Sequence, residues 1–357
     1  MLSRSTNLAA GLALFAGLAA APASAQTIYF ADIFIPTFDD GSIRKVNVDG
    51  TGLETVITTG GGLRAIDVDV AGGKVYWTDV NNFKIARCNL DGTGSQDLIT
   101  AGLIFPAGLR LDLQGSRMFW GDSDEGVSTA GLDGSSPFMV ASSVFFRGLA
   151  LDVPGGSIYW TTSQTASTGR IIKANLDGTN QTIAVQGAGK PTSIAIDPAG
   201  GKVYWTDHVL NVVRRANLDG SGMQTLYTDL GGQDPRGIAL DLANGKVYWG
   251  QDFGEEPTVG AIFRANLDGT DPEFWMTSGL GLVQDMVIVS GGGPPPCYPN
   301  CDDSTQAPVL NVADFGCFLT RYAAGEAYAN CDDSTQPPVL NVADFGCFLT
   351  KYAAGCR

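Results

Sequence analysis

Tyr204-Trp205-Thr206-Asp207, followed by Asn217-Leu218-Asp219-Gly220 and then by Gly237-Ile238-Ala239-Leu240-Asp241, is one unit of a pattern that fills most of the chain. The aromatic pair recurs as Tyr29-Phe30, Tyr76-Trp77, Phe119-Trp120, Tyr159-Trp160, Tyr204-Trp205 and Tyr248-Trp249, with second members 47, 43, 40, 45 and 44 residues apart. A small residue and usually an acid come next (Asp32, Asp79, Asp122, Asp207), with Thr162 and Gln251 at that position in the fourth and sixth copies. Each copy then carries a turn built on Asp-Gly, from Asp49-Gly50 to Asp268-Gly269, and this dipeptide supplies the positive φ that a tight hairpin needs. A short apolar run such as Gly148-Leu149-Ala150-Leu151-Asp152 or Ser193-Ile194-Ala195-Ile196-Asp197 closes the unit. Four short strands in roughly 40–45 residues is the period of a propeller blade. Six copies predict an all-β propeller of six blades.

The order and spacing of these elements resemble the YWTD propeller, the class B repeat of the low-density lipoprotein receptor family, over about residues 27–289. The resemblance implies that the apolar strand ending one repeat is the inner strand of the next blade. The last such strand, around Asp285–Val289, would then complete the first blade beside Ile28–Phe30 and close the ring, removing open sheet edges. It also implies that the acids after the aromatic pair bridge neighbouring blades. An acid repeated in nearly every blade suits that structural role better than a unique active site.

Composition narrows the function. With 22 Lys+Arg against 37 Asp+Glu the formal charge is −15, the wrong sign for a nucleic-acid binder. A single histidine, His208, disfavours most zinc and histidine-relay chemistry. It is expected on a surface loop. Residues 1–25 read as a signal peptide: Arg4 is the positive start, Leu8 to Ala21 is apolar, and Ala23-Ser24-Ala25 offers a cleavage site before Gln26. No later stretch is apolar enough for a transmembrane helix, so a secreted or cell-surface location is expected.

The propeller is expected over 26–289, with a Gly/Pro linker at 290–296 and a separate module at 297–357. Six of the seven cysteines lie in that module, as in a disulfide-stapled exported domain, and Cys88 is expected to be a small buried hydrophobe. The simplest pairing is Cys301–Cys317, Cys331–Cys347 and Cys297–Cys356, one of fifteen combinations.

The module is a tandem repeat of period 30, in which the oxygen-rich run from Asn300 runs into an amphipathic helical pattern at Phe315, Phe318, Leu319 and Tyr322. It resembles a pair of half EF-hands and, near a chain end, a dockerin. The resemblance implies calcium held by Asn300, Asp302, Ser304, the Val309 carbonyl, Asn311 and Asp314, and in the second copy by Asn330, Asp332, Ser334, Val339, Asn341 and Asp344. The loop departs from the EF-hand pattern in having 15 residues, no central glycine and an internal Pro308. The alternative is a disulfide-stapled helical pair whose polar loops cap the helices at Asp314 and Asp344.

Within the propeller, Arg64, Arg147 and Arg236 align just before the inner strands of alternate repeats, where Ala107 and Thr192 fill the intervening places. On a six-fold ring they would form a triangle near one mouth of the channel. Two readings stand: an anionic-ligand or acidic-partner site, since forked guanidinium donors suit carboxylates, or rim packing and pairing with acids of adjacent blades. Trp275 is expected to pack on an outer strand or to anchor a partner.

The favoured function is a non-enzymatic exported binding protein. Its propeller loops would present a protein or glycan surface, and its calcium-dependent, dockerin-like tail would dock to a cohesin-like or surface partner. The alternatives are a channel-metal hydrolase of the lactonase kind, requiring a unique acid set on the inner strands, and a purely structural surface protein.

Overall fold

The computed structural model describes residues 26–34, 40–123, 125–143, 145–165, 168–229, 233–253, 260–277, 279–290 and 319–320. Among these, 24 strands form six four-stranded antiparallel sheets, so the six-bladed propeller stands. Five blades use four consecutive strands each, within residues 63–99 (blade 2), 106–142 (blade 3), 146–186 (blade 4), 191–228 (blade 5) and 234–276 (blade 6). Blade 1 is composite. Its inner strand is the last among the described residues, Leu282–Ser290, hydrogen-bonded to Gln26–Phe34 with Phe30 opposite Met286 and Ile28 opposite Ile288. The ring is therefore closed by a C-terminal strand completing the N-terminal blade, as the pattern implied.

The expected signal peptide at 1–25 and the linker from 291 lie outside the described residues. So does the C-terminal module, apart from Leu319 and Thr320, which are helical. The candidate calcium ligands and six cysteines named above are among those outside.

The aromatic pair explains how blades pack. Successive residues of a strand point to opposite faces, so the two aromatics of one blade enter two different interblade cores. Tyr29 joins Trp77 in one core, Tyr76 joins Trp120, Phe119 joins Trp160, Tyr159 joins Trp205, Tyr204 joins Trp249, and Tyr248 meets Phe30 to complete the circle. Rings of this size supply much of the buried apolar area of a fold. Cys88 lies in the first core, with no exposed surface. Trp275 packs edge-to-face on Tyr248 with centroids 5.3 Å apart, an outer-strand role.

Three of the four acids after the aromatics hold the crossovers between blades, whereas Asp79 accepts from Asn81 and Asn82 of its own hairpin. Asp32 accepts from the Gly281 N–H at 2.8 Å, Asp122 from Ile104 N–H at 2.7 Å, and Asp207 from Lys190 N–H at 2.8 Å; each donor belongs to the segment entering the inner strand of the same blade. Gln251 makes the equivalent link in reverse, its Nε2 donating to the Gln233 carbonyl at 3.0 Å. The Asp-Gly acids do local work: Asp49, Asp91, Asp133, Asp177, Asp219 and Asp268 each accept from the N–H two residues on. In blades 2 to 6 the turn glycine also has no room for a side chain; a Cβ at Gly178, for example, would stand 1.8 Å from the Val140 carbonyl oxygen of the preceding blade.

Candidate functional site

Every inner strand breaks register with its neighbour at the same place. Pairing skips Arg64-Ala65, Gly108, Arg147-Gly148, Thr192-Ser193, Arg236-Gly237 and Gln284. A bulge re-aims the side chain it carries. Here five bulges bring Arg64, Arg147, Thr192, Arg236 and Gln284 to one end of the channel, where Ala107, beside the sixth bulge at Gly108, joins them.

A cavity of about 210 Å³ at that end is lined by all six, together with Phe105, Gly108 and His208. A second lobe of about 440 Å³ shares Arg64, Phe105, Arg236 and Gln284 and extends to Val80, Asn81 and Asp252. The three arginines thus meet in one depression. Arg64 donates to Gln284 Oε1 at 2.9 Å and lies over the Phe105 ring, 5.3 Å from its centroid. Burial, and the like charges of Arg236 and Arg147, pull Arg64 down to about 10. Arg236 reaches Asp252 at 3.4 Å and Asp234 at 3.5 Å, both acids of its own blade rather than of a neighbour. Arg147 makes no hydrogen bond or ion pair among the described residues, and its Nε is buried without a partner. Three guanidinium groups share the mouth against two carboxylates, both paired with Arg236, which leaves one net positive charge directed at whatever enters.

His208 lies in the turn that follows Lys202–Asp207, as a loop histidine should, but it is half-buried and lines this cavity, with its Nδ1 2.7 Å from Thr192 Oγ1. Burial, and then the positive charge of Lys190, hold its pKa below the usual histidine value. Its position could have been inferred from the repeat, since it directly follows Asp207, the acid that anchors the crossover into Thr192.

Deeper in the channel the structure holds a charged group that the repeat pattern concealed. The residues paired with the first aromatic of each blade are Val287, Asp67, Arg110, Ala150, Ala195 and Ala239. Three blades carry alanine there, and two carry opposite charges. Arg110 donates to both oxygens of Asp285, at 2.8 and 3.1 Å, and to the Ile66 carbonyl; Asp285 also accepts from the Ile66 N–H. Asp67 accepts from the N–H of Leu111 and of Val68, each at 2.8 Å. The inner strands therefore do bear acids unique to single blades, contrary to the sequence reading. Arg110 sits among them, and no cluster of three or more His, Cys, Asp and Glu suited to a metal occurs among the described residues. The signal was available: Asp67 and Arg110 replace the alanine of the Ile-Ala-Leu-Asp strand.

No helix among the described residues is long and apolar enough to cross a membrane. Among solved structures, a chain of a nidogen/laminin complex superposes with a TM-score of 0.63 at 22% identity, over 75% of this chain and 100% of that one. A TolB from Acinetobacter baumannii superposes with a TM-score of 0.59 at 12% identity, over 75% of this chain and 67% of that one. At such identities the likeness is one of fold. None of the curated proteins matches the sequence. Residues 201–242 match the low-density lipoprotein receptor repeat class B, the repeat family that the sequence pattern resembles.

Proposed function

We propose that this chain is an exported, non-enzymatic binding protein whose arginine-lined mouth receives an acidic group of a protein or glycan ligand, and whose dockerin-like tail docks, with calcium, to a cohesin-like or surface partner. The observation that carries the reading is the convergence of Arg64, Arg147 and Arg236 on one cavity, with Arg147 unpartnered among the described residues. Guanidinium groups bind carboxylates and sulfates through paired, charge-assisted hydrogen bonds, and desolvation in a cleft strengthens them. The chain as a whole is acidic at −15, so the mouth is a local inversion of sign that would orient an acidic ligand.

The loops around the mouth add apolar contact area. Phe83 is 51% exposed, Ile104 50%, Phe145 39% and Val209 47%, and each lies within a few residues of a lining residue. Phe83 and Phe145 hold φ at +50° and +60°, a conformation costly for an aromatic residue and often found at functional loops. A cationic centre with aromatic and aliphatic flanks suits a macromolecular partner better than a free ion. One similar structure is that of a complex of two proteins, nidogen and laminin, which agrees with a propeller serving as a binding face.

The test is calorimetric titration of the full-length protein with a terminally blocked hexa-aspartate peptide at low salt. Binding that weakens roughly tenfold in Arg147→Gln and in Arg64→Gln, and falls as salt rises, supports the reading. No binding, or binding indifferent to both variants, overturns it.

A further inference from the structure

The opposite mouth of the channel has a different chemistry. A cavity of about 300 Å³ is walled there by Leu111, Ala150, Leu151, Ala195, Ile196 and Leu240 among other apolar residues of five blades, and Asp67, the one lining residue of blade 2, and Arg110 are its charged members. The alanines of blades 4 to 6 stand across from the charged pair of blades 2 and 3 and leave space that a larger side chain would fill.

The charges do not cancel. Arg110 is committed to Asp285 and to the carbonyls of Ile66 and Leu109. Asp67 receives only main-chain N–H donors and forms no ion pair among the described residues. Two carboxylates and one guanidinium sum to one negative charge, held beside an apolar wall where an uncompensated ion is costly. An anionic ligand would double that charge and would have to break the Arg110–Asp285 pair. A cation neutralises it and finds an acceptor with free lone pairs.

We propose that this cavity binds a primary alkylammonium: the ammonium donates to the Asp67 carboxylate, and the aliphatic stem packs on the alanine, leucine and isoleucine wall. Independent support comes from the acid itself. Burial pushes Asp67 up to about 6, with Arg110 opposing the shift and Asp285 adding to it, and a bound cation supplies the compensation that the protein leaves incomplete. The site is separate from the arginine mouth, and the two would take ligands of opposite sign.

The experiment is titration of the full-length protein with n-hexylamine and, in parallel, n-hexanol, at about pH 8, where Asp67 is ionised and the amine protonated. The amine should bind roughly tenfold or more tightly than the alcohol. Asp67→Asn, which keeps an acceptor for the Leu111 N–H, should remove that preference, Ala195→Phe should block both probes, and Arg64→Gln should change neither. In the wild type, amine affinity should decline as pH falls below about 6, a readout that needs no variant. Equal affinity for amine and alcohol, an unchanged preference in a folded Asp67→Asn protein, or no amine binding overturns the proposal. None of these outcomes bears on the hexa-aspartate test of the other mouth.

Discussion

Gln251 Nε2 donates to the Gln233 carbonyl at 3.0 Å, where the equivalent aspartates of three other blades accept from main-chain N–H groups. The crossover into blade 6 thus presents an oxygen where the others present a hydrogen, and the side chain has changed polarity to match. Gln251→Glu would keep the acceptor for Trp249 Nε1 but set a buried carboxylate against that carbonyl. It should destabilise the propeller by about 2 kcal/mol, read as a lower melting temperature, whereas a surface Gln→Glu change should cost almost nothing.

Arg110 and Asp285 join blade 3 to the strand that closes blade 1. Removing either partner alone leaves a buried charge uncompensated, so Arg110→Met or Asp285→Leu should each cost about 3–5 kcal/mol. The double variant should recover part of that loss. A denaturation cycle across the four proteins measures the coupling, and strictly additive losses would contradict the pairing.

Asp67 makes stability depend on pH with a definite sign. Its folded pKa of about 6 lies above the unfolded value near 3.9, so its contribution is complete below about pH 4 and is lost as pH rises through about 6. Asp67→Asn lacks this dependence. The melting temperature of the wild type relative to the variant should therefore fall between those limits.

Cys88 has no exposed surface, and burial pushes its thiol up to about 11, with Asp91 adding to the effect. Native protein should not react with a thiol reagent at about pH 8. After denaturation without reductant, one thiol per chain should react if the six tail cysteines are paired as proposed.

The proposed calcium loops predict that calcium raises the melting temperature of the full-length protein in a component lost with the combined Asp314→Ala and Asp344→Ala changes. No effect of calcium would leave the disulfide-stapled helical pair as the better account of the tail.

The ring was legible because its determinants are local and repeated. A Tyr-Trp pair faces two cores whatever else the blade contains, and Asp-Gly sets the hairpin without distant help. The mouth was legible only as an alignment: Arg64, Arg147 and Arg236 occupy one position in alternate repeats, but that the position sits on a bulge turned into the channel follows from a register break that no residue type announces. The cluster of Asp67, Arg110 and Asp285 was hidden for a different reason. Asp285 lies 175 residues from Arg110 and meets it only because the strand Leu282–Ser290 returns to the first blade. Repeat counting treats departures from consensus as noise, whereas here they form the charged side of the channel.

That returning strand also decides how the molecule would carry load. Gln26 pairs with Ser290, and Leu282 lies at the other end of the same ladder, on the arginine side. A pull applied between Gln26 and Ser290 would open the ladder one rung at a time, like a zip. Tension between a ligand seated at the arginine mouth and an anchor beyond Ser290 would instead run along the strand and strain all its rungs together in shear. If the proposed ligand and docking tail are right, that geometry would resist traction on the ligand, and the same force applied between Gln26 and Ser290 would open the ladder far sooner.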